Sequence, residues 1–457
     1  MTTKEIQDLL KKFRVENESQ MIYTIIEEKK IELDKIYQNW LEYKGEVPVL
    51  NRVLPIANKN KLNNKLAHDF RGLIVDQSIG YMFGNPIVYK IEDESAQKVI
   101  DDFKDFIQLE DLDSITATFS FASGYGSRLC YIDQDGKTSV ININPWECIF
   151  IQDGSTEQMQ YALRFYDVDY YEGNKKITKR KVEWYSNTDI TFYISIDDKK
   201  KEYVYDTTEV VNPLVHNFDC VPLIQFKNNE LEQSDFHKVK TIIDSYDRIN
   251  SDVQNEIEEF RLAYMIFKGS LPDEQTILKA RQTGGFGIDK EDSIEYLTKQ
   301  INDVFVENTK NTEEKNIFRF ARAVDMSDEK FSGSAQTGES RKWKLVDLEN
   351  KCIQKERKFT HASKEMFKVL ATAWKKQNID FDYTKIKMEF RRNLPKDLMY
   401  EAQTSQTLKG LVDEETRLSL LSFVDDPLDI IEKMKVDAED IINLSTIPDE
   451  DVMSDGL

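Results

Sequence analysis

The segment from Arg341 to Lys376 runs for about thirty-five residues without a glycine or a proline. These two residues interrupt helices most strongly, so their absence predicts one long helix. Its apolar side chains repeat every three or four residues and form a narrow seam, which consists of Leu345, Leu348, Cys352, Phe359, Met366 and Leu370. A seam of this length must be buried. Because little sequence remains to pack around it, a second copy of the same chain is the expected cover.

Two further helices are predicted before this one. The first runs from Glu230 to about Phe260, and about thirty helical residues span roughly 45 Å, which is more than a compact small domain needs. The second covers residues 303–323. The segment that connects residue 323 to the long helix includes a run of ten residues, Ser332 to Arg341, with two glycines and no bulky apolar side chain. This composition predicts a small polar loop.

The first half of the chain combines helices with a β subdomain. Residues 1–43 are predicted to form two charged helices. Residues 65–83 are predicted to form another helix, which ends at the sequence Gly-Asn-Pro. Residues 115–227 are rich in tyrosine and β-branched residues and alternate between apolar and polar. Within them, Asp135-Gly136 lies between two alternating runs and is typical of a hairpin turn.

The rest of the chain is again mixed. Residues 263–301 are predicted to form a small αβ unit, with an apolar run, a helix behind Pro272, a glycine turn and a strand. Residues 381–390 alternate like a strand, and the last sixty residues are acidic and helical. Together these patterns predict an α+β fold in which helices dominate.

Composition restricts the function. The 457 residues carry a formal net charge of −21, whereas a conventional nucleic-acid-binding protein carries a basic patch. The four cysteines contain no CxxC pair, which is typical of buried thiols in a reducing compartment. The charged N-terminus has no signal-peptide pattern, and no window of about 18 apolar residues predicts a membrane span.

The motifs of common enzymes are absent. We find no GxxxxGK[ST], HExxH, GxSxG or GxGxxG, and "TGGFG" at 283–287 lacks the lysine of a phosphate loop. The four histidines are isolated from one another and from other metal ligands; they are His68, His216, His237 and His361. The sequence therefore predicts no catalytic residue, no metal site and no cofactor.

The charges are unevenly placed on the long helices. Residues 341–376 hold 11 Lys and Arg against 4 Asp and Glu, whereas residues 230–260 hold 9 acids against 3 Lys and Arg. Three interpretations remain open. Both helices can present solvated faces, the basic helix of one copy can pair with an acidic surface of the next, or the basic helix can contact DNA phosphates in passing.

Several blocks of the sequence resemble portal proteins of tailed bacteriophages, of the type common in siphophages of Gram-positive hosts. The resemblance covers about residues 40–350, in the same order and spacing. It is carried by "WLEYKGEVPVLNR", "NNKLAHDFRGLIVDQSIGYMFGNPIVY", "VPLIQFKNNELEQSDFHKVKTIIDSYDRINSDVQNEIEEFRLAYMIFKG" and "FSGSAQTGESRKWKL".

The resemblance implies a non-enzymatic ring, usually a dodecamer, at one capsid vertex. The terminase motor packages double-stranded DNA through such a ring, and the DNA later leaves through it. The implied partners are other copies of the chain, the DNA, the terminase large subunit, the head-completion adaptor, and the major capsid and scaffolding proteins, with no membrane. The implied location is the virion, after assembly in the host cytoplasm.

The resemblance also implies a division into parts. These are a wing with the N-terminal helices and β subdomain (1–230), a first stem helix (231–262), a clip (263–302), a second stem helix (303–324), a tunnel loop (325–341), the long helix with a returning wing strand (342–394) and an acidic helical crown (395–457).

Two groups of site residues follow. The tunnel loop is expected to face DNA through Lys330, Phe331, Ser332, Gly333, Ser334, Gln336, Thr337, Gly338, Arg341 and Lys342. The clip is expected to bind terminase and adaptor through Lys279, Arg281, Lys290 and Lys299.

Two other functions are alternatives to that of a portal protein. A scaffold or minor capsid protein is also a structural assembly protein, but it does not require the order of helix, clip, helix, loop and long helix. A nucleic-acid enzyme requires motifs that the sequence lacks.

Overall fold

The computed structural model describes residues 3–13, 16–54, 62–154, 158–260, 264–268, 273–283, 285, 293–297, 303–326, 343–393, 398–421, 423–424, 427–428 and 430–435. They form two compact units: the larger contains the described residues up to 392, and the smaller contains those from 393 onward. Helices and antiparallel sheets together confirm the α+β fold.

The helices follow one another in chain order. They are α1 (Thr3–Phe13), α2 (Glu18–Tyr43), α3 (Phe70–Phe83), α4 (Glu94–Ile107), α5 (Leu109–Ser123), α6 (Lys240–Phe260), α7 (Glu274–Thr283), α8 (Asp303–Ala321), α9 (Val346–Lys376), α10 (Leu398–Leu408) and α11 (Glu414–Ser419). The last two belong to the smaller unit.

The strands are short, apart from one long hairpin. They are β1 (Val88–Lys90), β2 (Tyr125–Ile132), β3 (Thr138–Ile143), β4 (Cys148–Gln152), β5 (Met159–Glu172), β6 (Lys175–Tyr185), β7 (Asp189–Ser195), β8 (Tyr203–Tyr205), β9 (Leu214–Val215), β10 (Leu223–Lys227), β11 (Tyr264–Lys268), β12 (Ser293–Leu297) and β13 (Lys387–Glu389).

Antiparallel pairing organises these strands into sheets. The largest has the order β4-β5-β6-β7-β8, with β9 on β7, and a second has the order β10-β2-β3. Gly136 lies in the turn between β2 and β3 with φ +78°, a conformation that glycine adopts readily. The hairpin and the antiparallel β subdomain are therefore confirmed from Tyr125 onward. The first residues of the predicted range, 115–123, belong instead to α5.

A shared core joins α2 to the largest sheet. Met21 and Ile22 of α2 are fully buried in one cluster with Leu163, Val182 and Trp184 of β5 and β6. The spacing of apolar residues along α2 places this face toward the sheet. The two predicted N-terminal helices are confirmed, as α1 and α2.

The seam of α9 is buried within its own chain. All six of its predicted residues are buried: Leu345, Leu348, Cys352, Phe359, Met366 and Leu370. Phe359, for example, packs on Phe226 of β10 and Phe83 of α3, with ring centroids 5.0 Å apart in both pairs. The seam was predicted correctly, but the inference that a second copy covers it was wrong, because elements distant in sequence supply the cover.

The helix predicted from Glu230 begins instead at Lys240. The Asn229 side chain accepts hydrogen bonds from the backbone N–H groups of Leu231 and Gln233, both at 3.1 Å, and Glu232 has φ +52°. Asparagine side chains that bond the local backbone compete with helix formation. The first ten residues of the prediction therefore form turns.

The helix predicted from Lys65 begins at Phe70, with Asp69 as its N-cap. Residues 62–69, here called the strap, are extended along α6. The backbone N–H groups of Asn64, Leu66 and His68 donate to the side chains of Asn255, Ser251 and Asp247 at 2.7, 2.9 and 3.0 Å. Four helical residues rise about 6 Å and two extended residues about 6.6 Å, so every second strap residue meets one turn of α6.

Two other predicted segments can be compared with the structure: the strand at 381–390 and the αβ unit at 263–301. Of residues 381–390, only β13 is a strand, because Asp382 accepts from the Thr384 N–H and forms a helical turn at Tyr383–Lys385. In the predicted αβ unit at 263–301, β11 pairs antiparallel with β12, and α7 follows Asp273. The helix and the strand of this unit are confirmed, whereas most of the glycine turn predicted at 283–287 lies outside the described residues.

We predict that Gly124→Ala destabilises the chain far more than Gly136→Ala. Both glycines have positive φ, but an added Cβ at Gly124 would meet the carbonyl oxygen of Glu232 at 2.1 Å, whereas nothing lies within 4 Å at Gly136. The left-handed conformation alone costs roughly 1–2 kcal/mol. Chemical denaturation of both variants should show an additional loss of about 2 kcal/mol or more for Gly124→Ala. Equal midpoints would contradict the close approach.

Candidate functional site

Most of the predicted site residues cannot be located. All ten predicted tunnel-loop residues, and Lys290 and Lys299 of the clip, lie outside the described residues. Lys279 is exposed on α7, and Arg281 belongs to the same helix, although its side chain lies outside the described part. The described residues include the elements on either side of the predicted tunnel loop, α8 before it and α9 after it.

The end of α8 is attached to two other helices. The Gln77 side chain of α3 donates to the Val324 carbonyl and accepts from the Val324 N–H, both at 2.7 Å. The Lys351 ammonium group of α9 donates to the Ala321 carbonyl at 3.2 Å. The backbone that enters the predicted loop is thus fixed to the helix that begins after it.

A buried carboxylate, Asp235, is the centre of the junction between the β subdomain and the long helices. It lies in the turns before α6 and pairs with Lys351 at 3.0 Å and Lys355 at 2.5 Å, both from α9. It also accepts from Asn228 at 2.9 Å and from Ser78 of α3 at 3.1 Å. We call Asp235 and these four partners the Asp235 cluster. It connects α3, the end of β10, α9 and the approach to α6.

Lys355 is as buried as its partner. Its ammonium group also donates to the Asn228 side-chain oxygen at 2.6 Å and lies 3.2 Å from the ring centroid of Phe121. An aromatic face attracts a cation, more strongly where water is excluded. The backbone N–H of Asp235 in turn donates to the Phe121 carbonyl at 2.9 Å, so α5 holds both members of the pair.

The surroundings shift both pKa values of this pair. Burial acts to raise the pKa of Asp235, but the charges of Lys351 and Lys355 outweigh it and lower that pKa to about 2. Burial lowers the pKa of Lys355 to about 8, and Asp235 only partly offsets this effect. The carboxylate is therefore ionised at neutral pH. Its contribution to stability is present above the unfolded pKa of about 3.9 and is lost as the pH falls toward 2.

A second buried cluster fixes the first turns of α6. Arg71 of α3 donates to Glu42 of α2 at 3.0 Å and to Asp244 of α6 at 2.5 Å. Lys240 at the start of α6 also pairs with Glu42, at 2.8 Å. Arginine suits such a site because its guanidinium group remains charged and donates in several directions. Together with the strap, this cluster holds α6 against the N-terminal helices.

Helix α8 packs alongside α6. Ser245 of α6 donates to Glu313 of α8 at 2.8 Å, and Phe70 packs edge-on against both Tyr246 of α6 and Phe318 of α8. The pair of helices therefore has a fixed relation to α3.

Four lysines of the basic helix α9 form ion pairs within their own chain. Lys351 and Lys355 pair with Asp235, Lys358 pairs with Glu230, and Lys376 pairs with Asp219. These acids belong to the same chain, so part of the basic charge is neutralised internally rather than by a neighbouring copy.

Sequence reasoning missed both buried clusters. One signal was present: Lys355 lies seven residues after Leu348 and four before Phe359, so it occupies a position of the apolar seam. A lysine in such a position predicts a buried partner. The identity of that partner could not be predicted, because Asp235 lies 120 residues away.

The polar groups of this junction serve to hold helices in place. Within the described ranges, no group of three or more His, Cys, Asp and Glu is arranged to hold a metal ion. No described helix is both long and apolar enough to cross a membrane. The described contacts fix long helices to a β subdomain.

Comparison with known proteins identifies the kind of structural protein. A family model described as "Phage portal protein, SPP1 Gp6-like" matches residues 22–444. The portal protein of Bacillus phage SPP1 is 25% identical over 403 residues, which cover 81% of this chain and 76% of that protein. The portal protein of Clostridium phage phiCD119 is 23% identical over 443 residues, which cover 90% of this chain and 94% of that protein.

The chain therefore belongs to the SPP1 Gp6-like family of phage portal proteins, as the sequence resemblance predicted. Portal proteins are structural components of the bacteriophage virion. Membership implies a ring oligomer that is associated with the capsid and with genome packaging.

We predict that Asp235→Asn lowers the free energy of unfolding by about 3–5 kcal/mol, because it leaves two lysines buried without a counter-charge. The matched control is Asp219→Asn, whose partner Lys376 is exposed, and surface pairs contribute about 1 kcal/mol or less. Urea denaturation followed by circular dichroism measures both. Similar losses in the two variants would show that the Asp235 cluster is not a major contributor.

Proposed function

We propose that copies of this chain form a closed ring, a dodecamer as is usual in the family, at one capsid vertex. Double-stranded DNA enters and leaves the capsid through the central channel of this ring. The ring performs no catalysis of its own. The terminase large subunit docks on it during packaging, and the head-completion adaptor docks later. Assembly takes place in the host cytoplasm with the major capsid and scaffolding proteins.

The proposal divides the chain into functional parts. The wing is 1–230, the stem segments are 231–262, helical from Lys240 as α6, and 303–324, the clip is 263–302, the tunnel loop is 325–341, the long helix with the returning strand is 342–394 and the crown is 395–457. The α6–α8 pair and the β11–α7–β12 unit between them in sequence support the assignment of stem and clip.

The observation that carries the proposal is the attachment of α8 to α3 and α9. Gln77 holds Val324 and Lys351 holds Ala321, while the Asp235 cluster holds α9. A polar segment with two glycines connects these two fixed helices. Glycine permits backbone conformations that other residues avoid, so this segment can change shape beside moving DNA while its ends stay in place.

Charge supports the same function. Each phosphate that a protein neutralises adds affinity through counterion release, and strong affinity would hold DNA rather than let it slide. A chain with a net charge of −21 avoids such binding. Because salt screens charges beyond about 8–10 Å, the repulsion acts only where DNA passes close to the wall.

Electron microscopy of the purified protein tests the ring directly. We expect closed rings with a central hole in negative stain, and a matching mass by mass photometry. A scaffold or minor capsid protein, the alternative function, would give no such rings. A protein that remains strictly monomeric at micromolar concentration, with native circular dichroism, would contradict the proposal.

We predict that deletion of residues 333–338 leaves ring assembly intact but impairs packaging or retention of DNA. The loop is proposed to face the channel and to bury little surface between copies. Ring mass, nuclease-protected DNA in heads and plaque yield should be measured, with deletion of residues 452–457 as the control. Loss of rings would make the loop a structural clasp, and normal values in all three assays would make it a mere connection.

We predict that charge reversal in the clip preserves the ring but weakens docking of terminase or adaptor. The variant is Lys279→Glu with Lys299→Glu, because reversed charges remove electrostatic complementarity and slow association. Lys199→Glu with Lys201→Glu, two exposed lysines of the turn between β7 and β8, is a control with the same change of charge. Unchanged packaging and adaptor binding would count against the assignment of the clip.

A further inference from the structure

The outward face of α9 carries a row of basic side chains that the proposed function does not use. Arg357, His361, Lys364, Lys368 and Lys375 follow at intervals of three, four or seven residues, so they share one face of the helix. Arg357, His361 and Lys375 are exposed, and Lys364 is partly exposed. We call these five residues the basic stripe.

The basic stripe is largely unneutralised in the described part of the chain. Lys368 pairs with Glu365 at 3.0 Å on the same helix. No ion pair to Arg357, Lys364 or Lys375 is found among the described residues. Long, exposed cations with no counter-charge are unusual in a chain with a net charge of −21, and they mark a surface that attracts a negative partner.

A complementary surface exists on α4 and the first turn of α5. Residues 92–111 contain eight Asp and Glu against two Lys. Asp102, Asp105, Glu110 and Asp111 are exposed there, and we call these four residues the acidic face. Phe106 beside them is also exposed and already holds the Lys137 ammonium group 4.8 Å from its ring centroid, so this surface accepts lysine.

The two surfaces do not neutralise each other within one chain. Phe103 of α4 packs on Phe367 and Trp374 of α9, which makes the helices neighbours through their buried sides. The basic stripe and the acidic face nevertheless form no ion pair with each other among the described residues. Each therefore remains available to another molecule.

We propose that the basic stripe of one copy docks on the acidic face of the next copy in the ring. This inference rests on the proposed ring, in which every contact joins two different surfaces of identical chains. Two carboxylates, Glu230 and Asp219, pair with Lys358 and Lys376 next to the stripe, and Glu365 pairs with Lys368 within it. These carboxylates would repel a continuous polyanion, so a protein surface with a few separate carboxylates fits better than DNA.

The test is a charge swap measured by mass photometry over a range of protein concentrations. Arg357→Glu with Lys364→Glu should raise the concentration for half-assembly at least tenfold, and Asp102→Lys with Asp105→Lys should do the same. All four substitutions together should bring it back to within about threefold of the original chain. Lys199→Glu with Lys201→Glu, two exposed lysines of the turn between β7 and β8, serves as the control and should change little.

The possible results separate the inference from the proposed function. If the original chain forms rings and both reversals assemble normally, the docking is wrong while the ring stands. If both reversals impair assembly but the combination does not recover, the basic stripe does not face the acidic face. If the stripe reversal spares assembly but reduces retention of DNA, DNA is its partner and the inference is overturned. If the original chain forms no ring, the proposed function fails first.

Discussion

The buried pairing of Asp235 with Lys351 and Lys355 is the interaction on which the arrangement of the long helices depends. A buried ion pair adds little net stability compared with an apolar substitute, because both charges lose their hydration. It is strict about geometry, however, since any displacement leaves a charge without its partner. Here the geometric requirement involves four elements, because α9 supplies the lysines while Ser78 of α3, Asn228 after β10 and Phe121 of α5 complete the contacts.

Similar buried polar contacts fix the positions of the other long helices. Arg71 and the strap hold α6, Gln77 holds the end of α8, and the Asp235 cluster holds α9. A ring that passes DNA needs walls that keep their position while the segments beside the DNA adjust. In this chain the buried charges fix the long helices to one another and to the β subdomain, and the basic stripe lies on an outward surface.

How much the sequence could predict depended on the range of the interaction. The Asp135-Gly136 hairpin, the apolar seam of α9 and the two N-terminal helices are each indicated by a local sequence pattern, and all are confirmed. The family resemblance, carried by blocks in a conserved order, is confirmed as well.

The errors arose where distant side chains decide the local structure. The strap is extended because Asn255, Ser251 and Asp247 take its N–H groups, and these lie about 180 to 190 residues further along the chain. The turns before α6 form around Asn229 and Asp235, although the same residues are compatible with a helical pattern. All ten predicted tunnel-loop residues, and Lys290 and Lys299 of the clip, lie outside the described part, so their roles stay predictions.

The central claim is that α9 is buried by its own chain before any assembly takes place. Hydrogen–deuterium exchange of the α9 amides, measured on unassembled chain and on assembled protein, tests it most directly. We predict slow exchange around the buried residues Cys352, Phe359 and Met366 in both states, because β10, α3 and the Asp235 cluster already cover them. Rapid exchange in the unassembled chain, with protection only after assembly, would contradict the account and show that a second copy covers the seam.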